Sequence, residues 1–492
     1  MTRIFLTAAS ALALANTPAS GQEKDEAPKD WAAMATGDVQ VAFDTYVANH
    51  PGWIDPTNPA FRAQLEMARD KAMALAQDAD SPGDFTKAIS TFSAVLADGH
   101  AKLAPYSMGD AYGKQTLLWP GFVAAWRGKD ALIHDASGFD LPRGTRIVAC
   151  DGVPAKRWIA EQGLGIGMRP SVPGHYYDFA PRTFAQMDTI DPIARSCDFI
   201  APDGTTHSRD LDWVEAPDDF YARMALAAHG DPLDVGLTEP APGIHWIALP
   251  DFSPDDEDAA RYETLFADIA ARRDTLKEAR AVVLDLRGNG GGSSSWSRST
   301  AEALWGKDAV TRRMADYFAD TSVWHRASEG NIQYLVDIQA ELQGRPQILA
   351  FVKELHAKMA AAHEKGEDFY VEPFTEPEER EEAAALSPVT DFTTPVYVIV
   401  HGRCGSACLD AIDTFTRFSN TTLVGAPSSS DTTYMEVRRV ELPSKHAAMI
   451  IPIKFWHNRP RESGEAYQPA IRMDGLDFTT EAFLKLIEEQ VD

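Results

Sequence analysis

Two apolar runs, each ending in a cluster of small residues, constrain the fold of this 492-residue chain more than any other feature. The first reads VVLDLRGNGGGS at 282–293 and the second VYVIVHGRCGSACLDAI at 396–412. Apolar residues at successive positions, instead of every second one, belong in strands covered on both faces. Another strand-like run lies at 244–249, an amphipathic helical pattern at 262–276, and the buried strands at 281–286 and 396–400. This alternation predicts an α/β core over 216–492, with a helical insertion near 305–365 and an acidic loop at 376–382.

Three segments precede that core. Arg3, an apolar stretch at 4–15 and small residues at 18–21 read as a signal peptide over 1–21. The apolar run is too short to span a bilayer, and no later one reaches 18 residues. The expectation is an exported chain, periplasmic or secreted, without stable membrane insertion. Residues 30–110 read as a helical domain. Asn58 and Pro59 open one helix there, Asp84 opens another, and Gly99 stops it inside Asp98-Gly99-His100. Residues 116–215 carry short β-like runs, with a hairpin from 121–126 and 131–134. The glycine turn, strand and Asp-Gly turn at 141–155 resemble part of a PDZ-like domain; a generic small β domain is the alternative reading.

Charge narrows the partners. Lys and Arg number 46 against 73 Asp and Glu, a net charge of −27. Such a surface repels phosphate backbones, so no nucleic-acid partner is expected. Four cysteines, Cys150, Cys197, Cys404 and Cys408, in an exported chain favour disulfides. Cys150–Cys197 with Cys404–Cys408 is the most local of the three pairings. Zinc is the weaker reading because no pair of histidines stands at ligand spacing, and no metal or other cofactor is expected.

Both junctions place backbone amides at the end of a strand. The glycine cluster after 286 lets a backbone approach a ligand closely, but it lacks the Gly-Lys-Ser/Thr ending of a P-loop and does not fit G-x-G-x-x-G. Ser406 falls at the start of the helix that follows the second strand, where unpaired N–H groups favour developing negative charge. An N-capping serine is the plainer reading of that position. Cys404 and Cys408 occupy the glycine places of a G-x-S-x-G elbow, which disfavours an α/β-hydrolase.

Taken together, the stretch 285–292 and the Gly405-Ser406-Ala407 triplet resemble the C-terminal processing and tricorn-type serine peptidases. The resemblance covers mainly 240–300 and 390–475. It implies a crotonase-like α/β core and hydrolysis of peptide bonds, with Ser406 as nucleophile and the amides of Gly291 and Ala407 as oxyanion donors. The serine–lysine branch carries its base after the next strand. No lysine stands at 423–431 here, and Asp431 falls near that place. The tricorn-like branch takes its base from an upstream Asp-Gly-His turn, matched by His100, and an orienting carboxylate from a late position, matched by Glu465 with Glu462 close by. His50 reads as structural.

A serine hydroxyl needs a neighbouring base, a histidine serves near neutrality, and two amides stabilise the tetrahedral oxyanion. The expectation is therefore an exported serine peptidase acting on polypeptides through a Ser406–His100–Glu465 triad. The rival is a non-catalytic relative that binds peptides or apolar ligands on the same fold. Oligomeric state is not legible.

Overall fold

Strand positions in the central sheet follow from where apolar residues are continuous. The computed structural model describes residues 29–106, 116–164, 167–187 and 194–491, so the expected signal peptide lies outside it. The sheet runs, edge to edge, through Gly236–Ala241, Ile244–Ala248, Ala281–Asp285, Val396–Val400, Thr421–Gly425 and Ile471–Arg472. Its first pair is antiparallel and the rest are parallel. Along the strand Ala281–Asp285, Ala281 and Val283 face one core while Val282 and Leu284 face another. Each fully buried valine or leucine among them contributes roughly 1.5–3 kcal/mol. Because Ala281–Asp285 and Val396–Val400 are parallel neighbours, with Asp285 opposite Ile399, their two small-residue junctions emerge together at the carboxyl ends of the strands. Open α/β sheets bind ligands outside those ends.

The strands Val123–Arg127, Asp130–Asp135, Arg146–Cys150, Ser196–Ile200 and Thr206–Asp210 form a separate antiparallel sheet. Cys150 and Cys197 face each other across it and are bridged. A further antiparallel sheet unites distant segments. Its longest strand, Ala447–His457, pairs with Lys102–Pro105, Ser322–Arg326 and Tyr434–Glu441, and Phe369–Pro373 lies beyond Ser322–Arg326. The stretch read as a helical insertion thus also contributes a strand.

The helices Trp31–Asn49, Ala60–Ala76 and Pro82–Leu96 share a core with this sheet. Tyr46 donates its hydroxyl to the Ile450 carbonyl at 2.8 Å, and Tyr434 donates to Asp55 Oδ2 at 2.9 Å. The N-terminal helices are consequently fixed beside the segment that follows residue 430.

Several local expectations need correction. Ser81, not Asp84, caps the helix Pro82–Leu96: its Oγ accepts from the Asp84 amide, and Pro82 fills the first turn, where its missing N–H costs nothing. That helix ends before Gly99, at Ala97, which takes a left-handed conformation with φ of 55°. The acidic stretch at 376–382 is not a loop but part of the helix Pro377–Ala384, with Pro377, Glu378 and Glu379 suited to its N-terminal turn. Asn58 turns its amide to the Tyr434 hydroxyl at 3.1 Å, and the helix Ala60–Ala76 has no side-chain cap. His50 is structural, as expected: its Nδ1 accepts from Gly52 N at 2.9 Å, its ring stacks on Phe61, and burial pulls its pKa down to about 3. Among the described residues, no helix is long and apolar enough to cross a membrane.

Candidate active site

The strand Val396–Val400 is buried along its whole length and delivers the chain to Ser406. Ser406 has φ of 53° and ψ of −127°, a conformation that costs a non-glycine residue on the order of 1–3 kcal/mol. Its hydroxyl makes no capping bond to the helix Ala407–Phe415, so the N-cap reading of this serine fails. The helix is anchored instead through the Ser406 carbonyl, which accepts from Leu409 N at 2.8 Å, and through the Cys404–Cys408 disulfide spanning its first turn. The N–H of Ala407, at the first helical position, has no acceptor among the described residues.

The glycine loop closes over this serine. Gly291 has φ of 111°, and a Cβ placed on it would lie 2.8 Å from both the Gly405 carbonyl and Ser406 Cβ, and 3.2 Å from Ala407 N. Only glycine permits that approach. Asn289 shapes the loop from below: its side-chain amide donates to the Leu249 carbonyl at 2.8 Å, and its Oδ1 accepts from Gly291 N at 2.9 Å. In this conformation the Gly291 N–H is occupied. Arg287, fully buried, ties the loop base to Asp285 and to the Phe478 carbonyl.

The histidine turn reaches the same neighbourhood from the N-terminal helices. Asp98 is buried and holds the turn with both oxygens: Oδ1 accepts from His100 N at 2.8 Å, and Oδ2 accepts from Thr432 Oγ1 at 2.8 Å. Burial raises the Asp98 pKa, against the pull of His100 and then Arg169. His100 itself is half-buried, and its Nδ1 is enclosed without a hydrogen-bond partner among the described residues. Asp431 stands beside Thr432. Burial pushes its pKa up, but Arg461, Arg459 and His100 outweigh this and hold it below the ordinary aspartate value.

Glu465 is not brought into contact with His100. It is exposed, and its Oε2 accepts from Glu462 N at 2.8 Å within its own turn. Glu462 is exposed as well. The backbone of this turn is nevertheless close to Asp431, since Gly464 N donates to the Asp431 carbonyl at 2.8 Å and Ala466 bridges Ser430.

A buried charge network frames the site. Arg461 reaches Asp410 at 2.8 Å, Asp413 at 3.0 Å and also Asp431, while Arg459 reaches Asp431 at 3.1 Å. Asp410 in turn accepts from Ser294 Oγ at 2.7 Å, so the serine helix, the glycine loop and the segment carrying Asp431 share one network.

Sequence reasoning missed His175. It lies on the short helix Pro173–Phe179, and its Nδ1 accepts from Arg169 N at 2.8 Å. That bond leaves Nε2 as the protonated nitrogen, 2.9 Å from Ser429 Oγ. Burial, followed by Arg169, lowers its pKa to about 3, so it stays neutral. Gly174 and Gly402 make this docking possible: a Cβ on either would strike the other segment's backbone or Ser428 at 2.1–2.2 Å. No local signal in the sequence marks it. His401 is buried beneath the glycine loop, 3.3 Å from the Asn289 carbonyl. Burial, then His229 and Arg403, hold its pKa well below the usual histidine value, making it a poor base.

The open clefts lined by Arg273, Lys307 and Asp391, and by Glu239, His245 and Asp274, contain none of these groups. The two strand-end junctions meet at Ser406, and the histidine turn is tied in beyond them through the Asp98–Thr432 bond; among the described residues no hydrogen bond joins His100 to Ser406.

Residues 243–469 match the family model for peptidase family S41. The chain carries a peptidase family S41 domain. The match includes Gly291, Ser406, Ala407, Asp431 and Glu465, while His100 lies upstream of it. With this domain the protein is a serine-type peptidase, and its substrates are polypeptides.

The whole fold is similar to mature CPAF, with a TM-score of 0.60 at 12% identity over 94% of this chain and 96% of that one. Mature CPAF complexed with lactacystin matches with a TM-score of 0.58 at 11% identity, over 94% and 98%. A serine-to-alanine mutant of CPAF matches at 0.53 and 11%, over 94% and 96%. At these identities the likeness concerns the fold. It extends beyond the S41 domain to the N-terminal helices and the β-rich segment. No curated protein matches the chain in sequence.

Proposed function

We propose that the chain is an exported peptidase in which Ser406 forms an acyl-enzyme and His100 is its base. The observation that carries this reading is the state of Ser406. It holds a costly positive φ at a helix start, its hydroxyl does no capping, and a glycine backbone is pressed against it.

In the reaction, His100 takes the Oγ proton as Ser406 attacks the scissile carbonyl, then returns it to the departing amine. Water, deprotonated by the same imidazole, hydrolyses the acyl-enzyme. The Ala407 N–H is free to stabilise the oxyanion. Gly291 N–H can join it by exchanging its bond to Asn289 Oδ1, which a full negative charge favours over a neutral amide oxygen. Glu465 is the orienting carboxylate implied by the family resemblance, and reaching His100 requires it to leave Glu462 N.

Both cysteine pairs are bridged, which supports an oxidising, exported setting. We read the core as crotonase-like and the β-rich segment 116–215 as PDZ-like.

A serine-reactive fluorophosphonate tests the proposal against a peptide-binding role. Labelling at Ser406, lost in Ser406→Ala and slowed in His100→Ala, is the expected result. An intact, folded protein that remains unlabelled while still binding peptides would favour the non-catalytic reading.

A further inference from the structure

Resting on the assignment of Ser406 and His100, we propose that Asp431, rather than Glu465, is the positioning residue that orients the His100 imidazole.

Two buried atoms in this region are unmatched. His100 Nδ1 and Asp431 Oδ2 are both buried, and neither has a hydrogen-bond partner among the described residues. One is a potential N–H donor and the other a carboxylate acceptor, and leaving either unpaired in a buried site costs free energy. Asp431 is nearly fully enclosed. Its Oδ1 takes Arg459 at 3.1 Å and also Arg461, so the carboxylate is pinned on one side and open on the other.

The chain geometry holds the two residues in one neighbourhood, with no hydrogen bond or ion pair between them in this conformation. Asp98 holds His100 by its backbone, and the same Asp98 side chain accepts from Thr432, the residue next to Asp431. Two segments more than 300 positions apart are thereby clamped within two residues of the proposed pair. The Asp98 oxygens are already engaged in that clamp, which leaves Asp431 as the buried carboxylate with an unoccupied oxygen. Electrostatic coupling between His100 and Asp431 agrees with this placement. Glu465, by contrast, is solvent-exposed and bonded within its own turn.

The chemistry suits the task. The two guanidinium groups keep Asp431 ionised despite burial and fix its direction, so Oδ2 can hold the Nδ1–H tautomer and leave Nε2 for the serine. They also draw charge from the carboxylate, so it steadies the imidazolium less than an unpaired aspartate would. No proton passes to Asp431; it acts by orientation and field.

Other charged groups around the pair are Asp98 on the histidine turn, Arg169 from the β-rich segment, and Arg459 and Arg461 behind Asp431. Tyr46 and Tyr434 face Asp98 from the first helix and the strand Tyr434–Glu441. A shift in the pH profile must therefore be tested by a variant that leaves these groups in place.

The experiment compares kcat/KM against pH for the full chain, Asp431→Asn, Asp431→Glu and Glu465→Gln. Removing a carboxylate beside an imidazole favours the neutral ring, so in Asp431→Asn the ascending limb should move to lower pH. Its plateau should fall about tenfold or more. Asp431→Glu should restore part of both. Glu465→Gln should leave the midpoint of the limb in place, whatever it does to the rate. A limb that moves in Glu465→Gln but not in Asp431→Asn would overturn the proposal.

If Asp431→Asn does not fold, proton NMR of Ser406→Ala decides the question. A hydrogen-bonded His100 Nδ1–H that persists with Glu465→Gln added supports Asp431, and its loss on that addition refutes it. Failure of the underlying reading would look different: no fluorophosphonate labelling at Ser406, and a pH limb unchanged in His100→Ala.

Discussion

The two halves of the proposed site are held in different ways. The serine half is built from neighbouring strands of one sheet, a glycine loop, and a helix stapled at its first turn by Cys404–Cys408. The histidine half comes from residues 98–100, more than 300 positions from Ser406. It is kept in place by contacts between separate segments: Tyr46 to Ile450, Tyr434 to Asp55, and Thr432 to Asp98. The first half can be correct whenever the central sheet folds. The second is correct only if the N-terminal helices also dock on the sheet built around Ala447–His457. Damage to the serine half should therefore abolish chemistry without disturbing docking, and damage to the histidine half should weaken catalysis through misplacement.

The largest effect should come from Ser406→Ala. Hydrolysis should fall by about 10⁴-fold or more, while thermal stability holds or rises, since alanine removes no capping bond. Turnover of a peptide substrate by the purified variant measures this, and near-normal rates would show that the nucleophile lies elsewhere.

Next comes His100→Ala, which should remove the ascending limb of kcat/KM against pH along with nearly all activity. The serine half should remain whole, with both disulfides intact by mass and the far-ultraviolet circular dichroism unchanged. A retained limb would place the base on another residue.

The two disulfides offer a third comparison. In the chain-entropy estimate, a bridge stabilises by about 4 kcal/mol for the 47-residue separation of Cys150–Cys197 and about 2 kcal/mol for the 4-residue separation of Cys404–Cys408. Cys150→Ser with Cys197→Ser should accordingly lower the melting temperature more, yet leave kcat close to that of the parent. Cys404→Ser with Cys408→Ser should lower it less and reduce kcat several-fold, because the turn carrying Ser406 loosens. Melting curves and kcat on the two double variants check the crossing, and parallel losses in both quantities would remove the special role given to the short bridge.

How much of this was readable in the sequence follows the same division. The strands at 282 and 396 and their small-residue ends were legible because strand, turn and helix lie in one continuous stretch, with apolar residues marking what is buried, whereas the cysteine pairing stood only as the most local of three. His100, the proposed base, was suggested only by a family motif. Asp431 could be noticed as standing where a lysine stands in one branch, but nothing local revealed that Thr432 would clamp the histidine turn beside it. Arg169 and His175 gave no signal at all. They reach Ser429 and Ser430 because Gly174 and Gly402 let two backbones touch, a pairing that no local pattern encodes. The end of the helix Pro82–Leu96 was misplaced for a related reason. Gly99 offered the obvious stop, but the chain turns earlier, at Ala97, whose left-handed conformation propensity does not anticipate.

The smallest and most selective test cuts the clamp itself. Thr432 Oγ1 donates to Asp98 Oδ2 at 2.8 Å and accepts from Tyr434 N at 3.2 Å, so Thr432→Val keeps the shape and removes both bonds. One oxygen of a buried carboxylate then loses its partner, at a cost of about 1–3 kcal/mol, which a thermal or urea melt will register. If the clamp positions His100, kcat/KM should fall about tenfold with little change in KM, and Thr432→Ser, which keeps the hydroxyl, should recover most of it. The rate of fluorophosphonate labelling at Ser406 should fall in parallel, since it also depends on the base. A stability loss of this size with unchanged labelling would mean that the histidine turn stays in place without Thr432. The docking of the N-terminal helices through Tyr46 and Tyr434 would then suffice to hold it.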